Sequence, residues 1–215
     1  DYVAASWAKS SEGVDGQWMV IGSGGGGITS PDGATWSDMT TQPTSGLTDL
    51  VATGDGRLWA TGRNGILMTR EQGVWSSVGT GTTHDLNGLE VSPEGDLWIV
   101  GDAATVIVRS EDGTLESMTV PVPPTAELLE VHLDSDIAVI GGKGGTLLRR
   151  PAGEEGFGPW TIGMTTDVEA IARGGDGALW IAGGQGKLLR SEDGETAIAV
   201  PSGVSGALRA IAATE

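Results

Sequence analysis

The side chains best suited to chemistry are few and spread along the chain. His84 stands beside Asp85, with further carboxylates at Asp102 and Asp167 and polar or cationic groups at Arg63, Asn64, Lys143 and Gln185. A histidine within reach of a carboxylate is the material of general-base catalysis, and paired carboxylates are that of glycoside cleavage. A lone loop histidine is more often a solvated side chain, and this mixed set suits hydrogen bonding to a polar ligand or a peptide. The glycine runs "SGGGG" (23–27) and "GKGG" (142–145) raise a phosphate-loop reading. That loop needs Gly-x-x-x-x-Gly-Lys-Ser/Thr leading into a helix, and no helical period follows either run. There is no cysteine, which removes disulfides and thiolate metal ligands. No window has the Asp-x-Asp-x-Asp-Gly form of a calcium loop. No catalytic residue, metal or cofactor is expected.

The elements that position these groups repeat. Short turns close at Gly33, Gly73, Gly113, Gly153 and Gly194, in steps of 40, 40, 40 and 41 residues. The runs "WMVIG", "LWATG", "LWIVG", "IAVIG" and "LWIAG" end at Gly22, Gly62, Gly101, Gly141 and Gly183, in steps of 40, 39, 40 and 42. Two independent markers on one period mean five copies of one unit.

Within residues 47–79, "LTDLVAT", "RLWATG", "ILMTR" and "VWSSV" read as four strands, separated by "GDG", "RNG" and "EQG". Glycine and aspartate accept the positive φ that tight hairpins require. Five such units predict an all-β, five-bladed β-propeller of four-stranded antiparallel blades. One domain is expected over 1–215, with units near 1–46, 47–85, 86–126, 127–166 and 167–206. Each sheet is apolar on both faces and must bury both against its neighbours. Trp59, Trp98 and Trp180 recur on second strands as inter-blade core; Trp18 is one place out of register, and Ala138 takes the position in the fourth unit. Trp36, Trp75 and Trp160, on fourth strands, lie nearer the rim, where an aromatic sugar platform is the alternative to core.

The termini offer two strands for one seat. "YVAASWAKS" (2–10) precedes the first "QWMVIG", and "GALRAIAATE" (206–215) matches a first strand. The expectation is closure by the terminal strand, with residues 207–212 beside residues 18–22 in place of an exposed edge.

The acidic turns belong on one face, carrying Asp15, Asp32, Asp55, Glu94, Asp112, Asp134, Asp136, Asp176 and Asp193. Copies spread around a ring diverge rather than converge, so they read as folding devices: aspartate accepts N–H groups across its own turn. The opposite face carries the second-to-third strand turns and the connections between units. These loops differ between units where the strands do not, and variable loops on a rigid repeat are where binding resides. All eight polar candidates lie there.

"SPDGATW" (30–36) resembles the Asp-box of neuraminidase-type repeats, Ser-x-Asp-x-Gly-x-Thr-Trp, shortened by one residue. The third and fifth units keep Ser110, Asp112 and Gly113, and Ser191, Asp193 and Gly194; the second and fourth lack the aspartate. The whole chain is similar to glycine-rich, Trp-marked propellers related to photosystem II stability and assembly factors. That resemblance implies an extracytoplasmic scaffold or binding protein, with the box as a folding device on the rim. A sialidase would be expected to have a Tyr–Glu pair in its centre, and the only tyrosine is Tyr2. Five-bladed lectins such as tachylectin are similar in size and blade count.

With 12 Lys and Arg against 29 Asp and Glu, the formal charge is −17. Such a surface repels nucleic acid and anionic lipid. No run approaches the 18 apolar residues of a membrane span, and the opening "DYVAASWAKS" is expected to follow a removed leader. The expected function is a non-catalytic scaffold that binds a protein partner through the variable loops. A multivalent lectin is the alternative, with Trp36, Trp75 and Trp160 as its rim, and a glycosidase or lyase comes third.

Overall fold

The computed structural model describes residues 2–8, 16–39 and 46–212. Asp15 of the first acidic turn, residues 42–45 of the first connection and residues 213–215 lie outside them. Among the described residues, twenty strands form five four-stranded antiparallel meanders. Blade 1 has β1 (Tyr2–Ala8), β2 (Gln17–Gly22), β3 (Gly27–Ser30) and β4 (Ser37–Asp38). Blade 2 has β5 (Leu47–Ala52), β6 (Leu58–Gly62), β7 (Leu67–Glu71) and β8 (Val74–Val78). Blade 3 has β9 (Leu86–Val91), β10 (Leu97–Gly101), β11 (Thr105–Arg109) and β12 (Leu115–Ser117). Blade 4 has β13 (Leu128–Leu133), β14 (Ile137–Gly142), β15 (Leu147–Pro151) and β16 (Gly158–Pro159). Blade 5 has β17 (Val168–Arg173), β18 (Leu179–Gly183), β19 (Leu188–Ser191) and β20 (Ile198–Ala199). The all-β, five-bladed reading of the repeat is the observed fold. The chain divides into two compact units, Asp1–Ile99 with Ile107–Ser117, and Val100–Val106 with Met118–Glu215.

Alternation along the strands builds the core. In the first unit, Met19 and Ile21 of blade 1 pack on Leu47, Leu50 and Leu58 of blade 2. Trp59 of blade 2 packs with Leu86, Leu97 and Ile99 of blade 3. In the second unit, Val139 and Leu147 of blade 4 meet Val168, Leu179 and Ile181 of blade 5. Each sheet thus lends one face to a neighbour, which is how sheets too small to stand alone become stable. Trp59 and Trp98 are buried as their period requires, and Trp180 is half-buried. Trp18, one residue out of step, is 41% exposed. A one-residue slip moves a side chain to the other face of a strand, and Met19 takes the buried position instead.

The expected seat for the terminal strand is corrected. β1 pairs antiparallel with β2, from Trp7 opposite Trp18 to Tyr2 opposite Gly22. Residues 207–212 form no strand; the Leu208 N–H donates to the Gly183 carbonyl at 3.0 Å. The physical reason is proximity: a connection of eight residues joins β1 to β2, and closing so short a loop costs less entropy than recruiting the far end of the chain.

The acidic turns are local clamps. Ser30 Oγ accepts the Gly33 N–H at 2.8 Å. Asp32 Oδ1 accepts the N–H groups of Ala34 at 2.8 Å and Thr35 at 2.7 Å. Asp193 repeats this with Glu195 and Thr196, both at 2.8 Å. Backbone N–H groups aimed at the carboxylate, from Thr35 and Ala34 and from Thr196 and Glu195, lower the pKa of Asp32 and of Asp193 to about 2. The five closing glycines have φ between 66° and 93°, a region open to glycine.

Candidate functional site

The polar candidates fall into two groups, one in each compact unit. In the first, Arg63 and Asn64 sit in a single 3-10 turn, Arg63–Gly65, with Asn64 left-handed at φ 56°. The Asn64 N–H donates to Asp85 Oδ1 at 2.8 Å, and the Arg63 N–H to the Gly46 carbonyl at 2.9 Å. His84 is exposed, and its backbone N–H donates to Thr82 Oγ1 at 3.1 Å. Asp85 is therefore turned to the backbone of the preceding blade.

The second group joins Asp102, Lys143, Asp167 and Gln185. Lys143 opens another 3-10 turn, Lys143–Gly145, and its ammonium is ion-paired with Glu127, a residue absent from the sequence-based candidates. Its N–H also donates to the Glu127 carbonyl at 2.9 Å. The hydrogen bond that the ammonium donates to Glu127, with the fields of Glu127, Asp102 and Asp167, raises the Lys143 pKa. Asp167 Oδ1 accepts the Gly144 N–H at 2.9 Å, and its carbonyl accepts the Gly184 N–H at 3.0 Å. Gln185 occupies the third such turn, Gly184–Gly186, at φ 59°. Asp102 caps its own turn, its carbonyl accepting Thr105 Oγ1 at 2.6 Å.

Beside the second group lies a cleft of about 370 Å³ that the sequence did not single out. Its walls include Pro121, Val122, Leu148, Trp160, Met164 and Thr165. Gly145, in the turn that Lys143 opens, lines it too, so this turn forms part of its border. No charged side chain lines this cleft, in a chain with a formal charge of −17. The volume is that of a small-ligand or side-chain pocket. The signal available in sequence was "PVPPTAE", a proline-rich connection in which Pro121 and Val122 form one wall.

The aromatic rim divides. Trp160 is 5% exposed, and its indole N–H donates to the Glu195 carbonyl at 2.8 Å. It belongs to the core between blades 4 and 5, which corrects its assignment to an open sugar-binding rim. A large apolar ring at a blade boundary is drawn inward when a carbonyl is in reach of its N–H. Trp75 is half-buried against the core of blades 1 and 2. Trp36 is 39% exposed.

Sequence reasoning also missed a buried polar joint. His132 Nε2 lies 3.2 Å from Asp134 Oδ2, and Arg173 Nε donates to the same oxygen at 2.5 Å. The N–H groups of Asp136 and Ile137 donate to Asp134 Oδ1 at 2.8 and 2.9 Å. Burial works against the charge on Asp134, but Arg173 and these N–H groups outweigh it and lower its pKa. The carboxylate ties β13 to β17 rather than serving a free base.

No protein-family model matches the chain, and no curated protein matches it. Solved structures do. Virginiamycin B lyase from Staphylococcus aureus superposes with a TM-score of 0.73 at 15% identity, over 91% of this chain and 68% of that one. YCF48 bound to D1 peptide gives 0.63 at 20% identity, over 93% and 66%. The extracellular domain of BT4673 from B. thetaiotaomicron gives 0.73 at 14% identity, over 93% and 29%. The chain thus spans about two thirds of the length of the first two and under a third of the last. At such low identity the likeness speaks for the architecture alone. The chain is a five-bladed β-propeller, similar to the solved propellers as its Trp-marked repeat implies.

Proposed function

We propose that the chain is a non-catalytic binding module that takes a segment of a protein partner. The cleft walled by Val122, Leu148 and Met164 receives an uncharged apolar side chain. Lys143, Glu127 and Asp167 at its margin hydrogen-bond the flanking peptide, with Asp102 and Gln185 beyond them. Arg63, Asn64, His84 and Asp85 offer a further set of contacts on blades 2 and 3. The observation that carries the reading is an uncharged cleft bordered by the turn that Lys143 opens, on an otherwise acidic chain. The acidic surface favours a partner with basic residues around its apolar anchor. A peptide bound to YCF48, a structure of similar fold, supports the choice of ligand class. An enzyme of the glycosidase or lyase type needs carboxylates free to exchange protons. Asp85 and Asp167 each hold a backbone N–H instead. The likeness to an extracellular domain supports an extracytoplasmic location.

Selection from a library of displayed 12-residue peptides tests this. Enriched peptides are expected to share an apolar residue flanked by Lys or Arg. Val122→Lys and Thr165→Trp, both at solvent-accessible wall positions, are expected to weaken them tenfold or more. Absence of enrichment, or binding indifferent to both variants, would sink the proposal.

A further inference from the structure

Arg70 is a half-buried cation with no carboxylate partner among the described residues. Its Nη1 lies 3.7 Å from the Met19 sulfur, a weak acceptor, and its Nε is buried with no hydrogen-bond partner. Other half-buried arginines find oxygen. Arg109 donates to the Ser110 carbonyl, Arg149 to the Gly194 carbonyl, Arg173 to Asp134, and Arg190 to Glu192 and Asp176. The adjacent Glu71 is engaged by Arg57 at 3.2 Å. Burial lowers the Arg70 pKa, and among the described residues no carboxylate raises it.

A second donor lies on the same face. Arg70 and Trp75 are cross-strand partners on β7 and β8, so their side chains are neighbours. Trp75 packs against the core that holds Met19, and its Nε1 is buried with no hydrogen-bond partner. Buried N–H groups without acceptors are costly, and a buried cation without one is more so.

Folding of the turn does not require the arginine. Leu58 faces Arg70 across the blade as Trp18 faces Ser30 and Leu179 faces Ser191. Those two serines accept the N–H groups of Gly33 and Gly194 and so hold their turns. In blade 2 the turn closes with Glu71 opposite Val74, through Gln72 at φ 47° and Gly73 at φ 84°. A cation thus occupies the clamp position in a blade whose turn needs no clamp. That turn is at the surface, with Gln72 exposed, and a Cβ on Gly73 would stand 3.7 Å from Arg70 Nη2. The guanidinium is approached from this end.

We propose that Arg70 and Trp75 form an anion site at the junction of blades 1 and 2 that takes a carboxylate. A carboxylate is planar and matches the guanidinium edge, and its oxygens keep lone pairs for the indole N–H. This site lies in the first compact unit and does not depend on the cleft reading.

The test uses the full ¹⁵N-labelled chain. The Trp75 indole N–H signal, assigned from Trp75→Phe, is followed while sodium acetate replaces sodium chloride at constant ionic strength. Acetamide, the neutral isostere, is added in parallel. The signal is expected to move saturably with acetate and to stay with acetamide. Arg70→Gln is expected to raise the apparent Kd about tenfold. Thermal unfolding gives a second measurement: acetate is expected to raise the Tm of the parent more than that of Arg70→Met. N-acetyl-aspartate amide separates the sources. Tighter binding than acetate assigns the site to an acidic side chain of a partner, and binding no tighter assigns it to a free small carboxylate. Equal movement with acetamide, no movement with acetate, or equal Tm gains in the parent and Arg70→Met overturns the proposal. Movement with inorganic phosphate but not with acetate overturns it in favour of a tetrahedral oxyanion.

Discussion

The Asp85 carboxylate accepts the backbone N–H of Asn64 at 2.8 Å, across a separation of 21 residues. Asp167 does the same for Gly144 at 2.9 Å. In both cases the aspartate immediately precedes the first strand of one blade and holds the left-handed residue of the turn in the blade before. These carboxylates latch successive blades.

Removing either latch leaves a turn N–H without its acceptor. Asp85→Ala and Asp167→Ala are each expected to cost about 1 kcal/mol, the scale of a partly exposed hydrogen bond. For a chain of this length that lowers Tm by about 2–4 °C. Asn replacements, which retain a carbonyl acceptor, are expected to recover most of the loss. Thermal unfolding of the four variants decides; unchanged Tm in both alanine variants would refute the latch.

The turns themselves divide their glycines sharply. Gly65, Gly145 and Gly186 have φ of 73°, 81° and 69°, and a Cβ on each would run into the carbonyl oxygen of Thr82, Met164 or Val204. Gly144 has φ 63° with nothing within 4 Å of its Cβ position. Asn64 and Gln185 fill that same turn position at φ 56° and 59°. Gly145→Ala is therefore expected to cost about 1–3 kcal/mol. Gly144→Asn is expected to fall within about 0.5 kcal/mol of the parent. Urea midpoints of the two variants provide the comparison, and similar values would contradict the close approach.

Stability responds to pH in two opposed ways. Asp49 accepts the N–H groups of Leu50 at 2.8 Å and of Leu89 at 3.0 Å, joining blades 2 and 3. Burial raises its pKa to about 6, with Glu90 adding to the effect and the two N–H bonds opposing it. A folded pKa above the unfolded one means protonation stabilises the fold. That stability is complete below the ordinary 3.8 and is lost as pH rises through 6. Asp32 and Asp193, held near 2, act in the other direction: their stabilisation is present above 3.8 and is lost as pH falls towards 2. The Tm of the parent chain relative to Asp49→Asn is expected to rise as pH is lowered from 7 to 4. Relative to Asp32→Asn with Asp193→Asn, it is expected to fall between pH 4 and 2. A flat difference curve over the first range would rule out a raised Asp49 pKa.

Most of the architecture was legible in the residues because it is local. A period near 40, strands of about five residues and turns closed by glycine depend on neighbours a few positions apart. Trp59 and Met19 follow from strand alternation counted from the same glycine. The role of Asp32 in its own turn follows from the same short range. Tertiary structure decided the rest, because it depends on which residues meet across blades. Asp85 and Asp167 look like free acids on variable loops until their carboxylates are seen to meet Asn64 and Gly144. Trp160 borders a fourth strand, as Trp36 does, yet its indole N–H meets the Glu195 carbonyl of the next blade and its ring lies in the core. The cleft exists where the Pro121–Val122 connection and residues 159–165 come together, and no spacing in the chain encodes that meeting. The seat beside β2 went to β1 because a short connection costs less to close than a long one, a comparison that two similar strand sequences cannot settle.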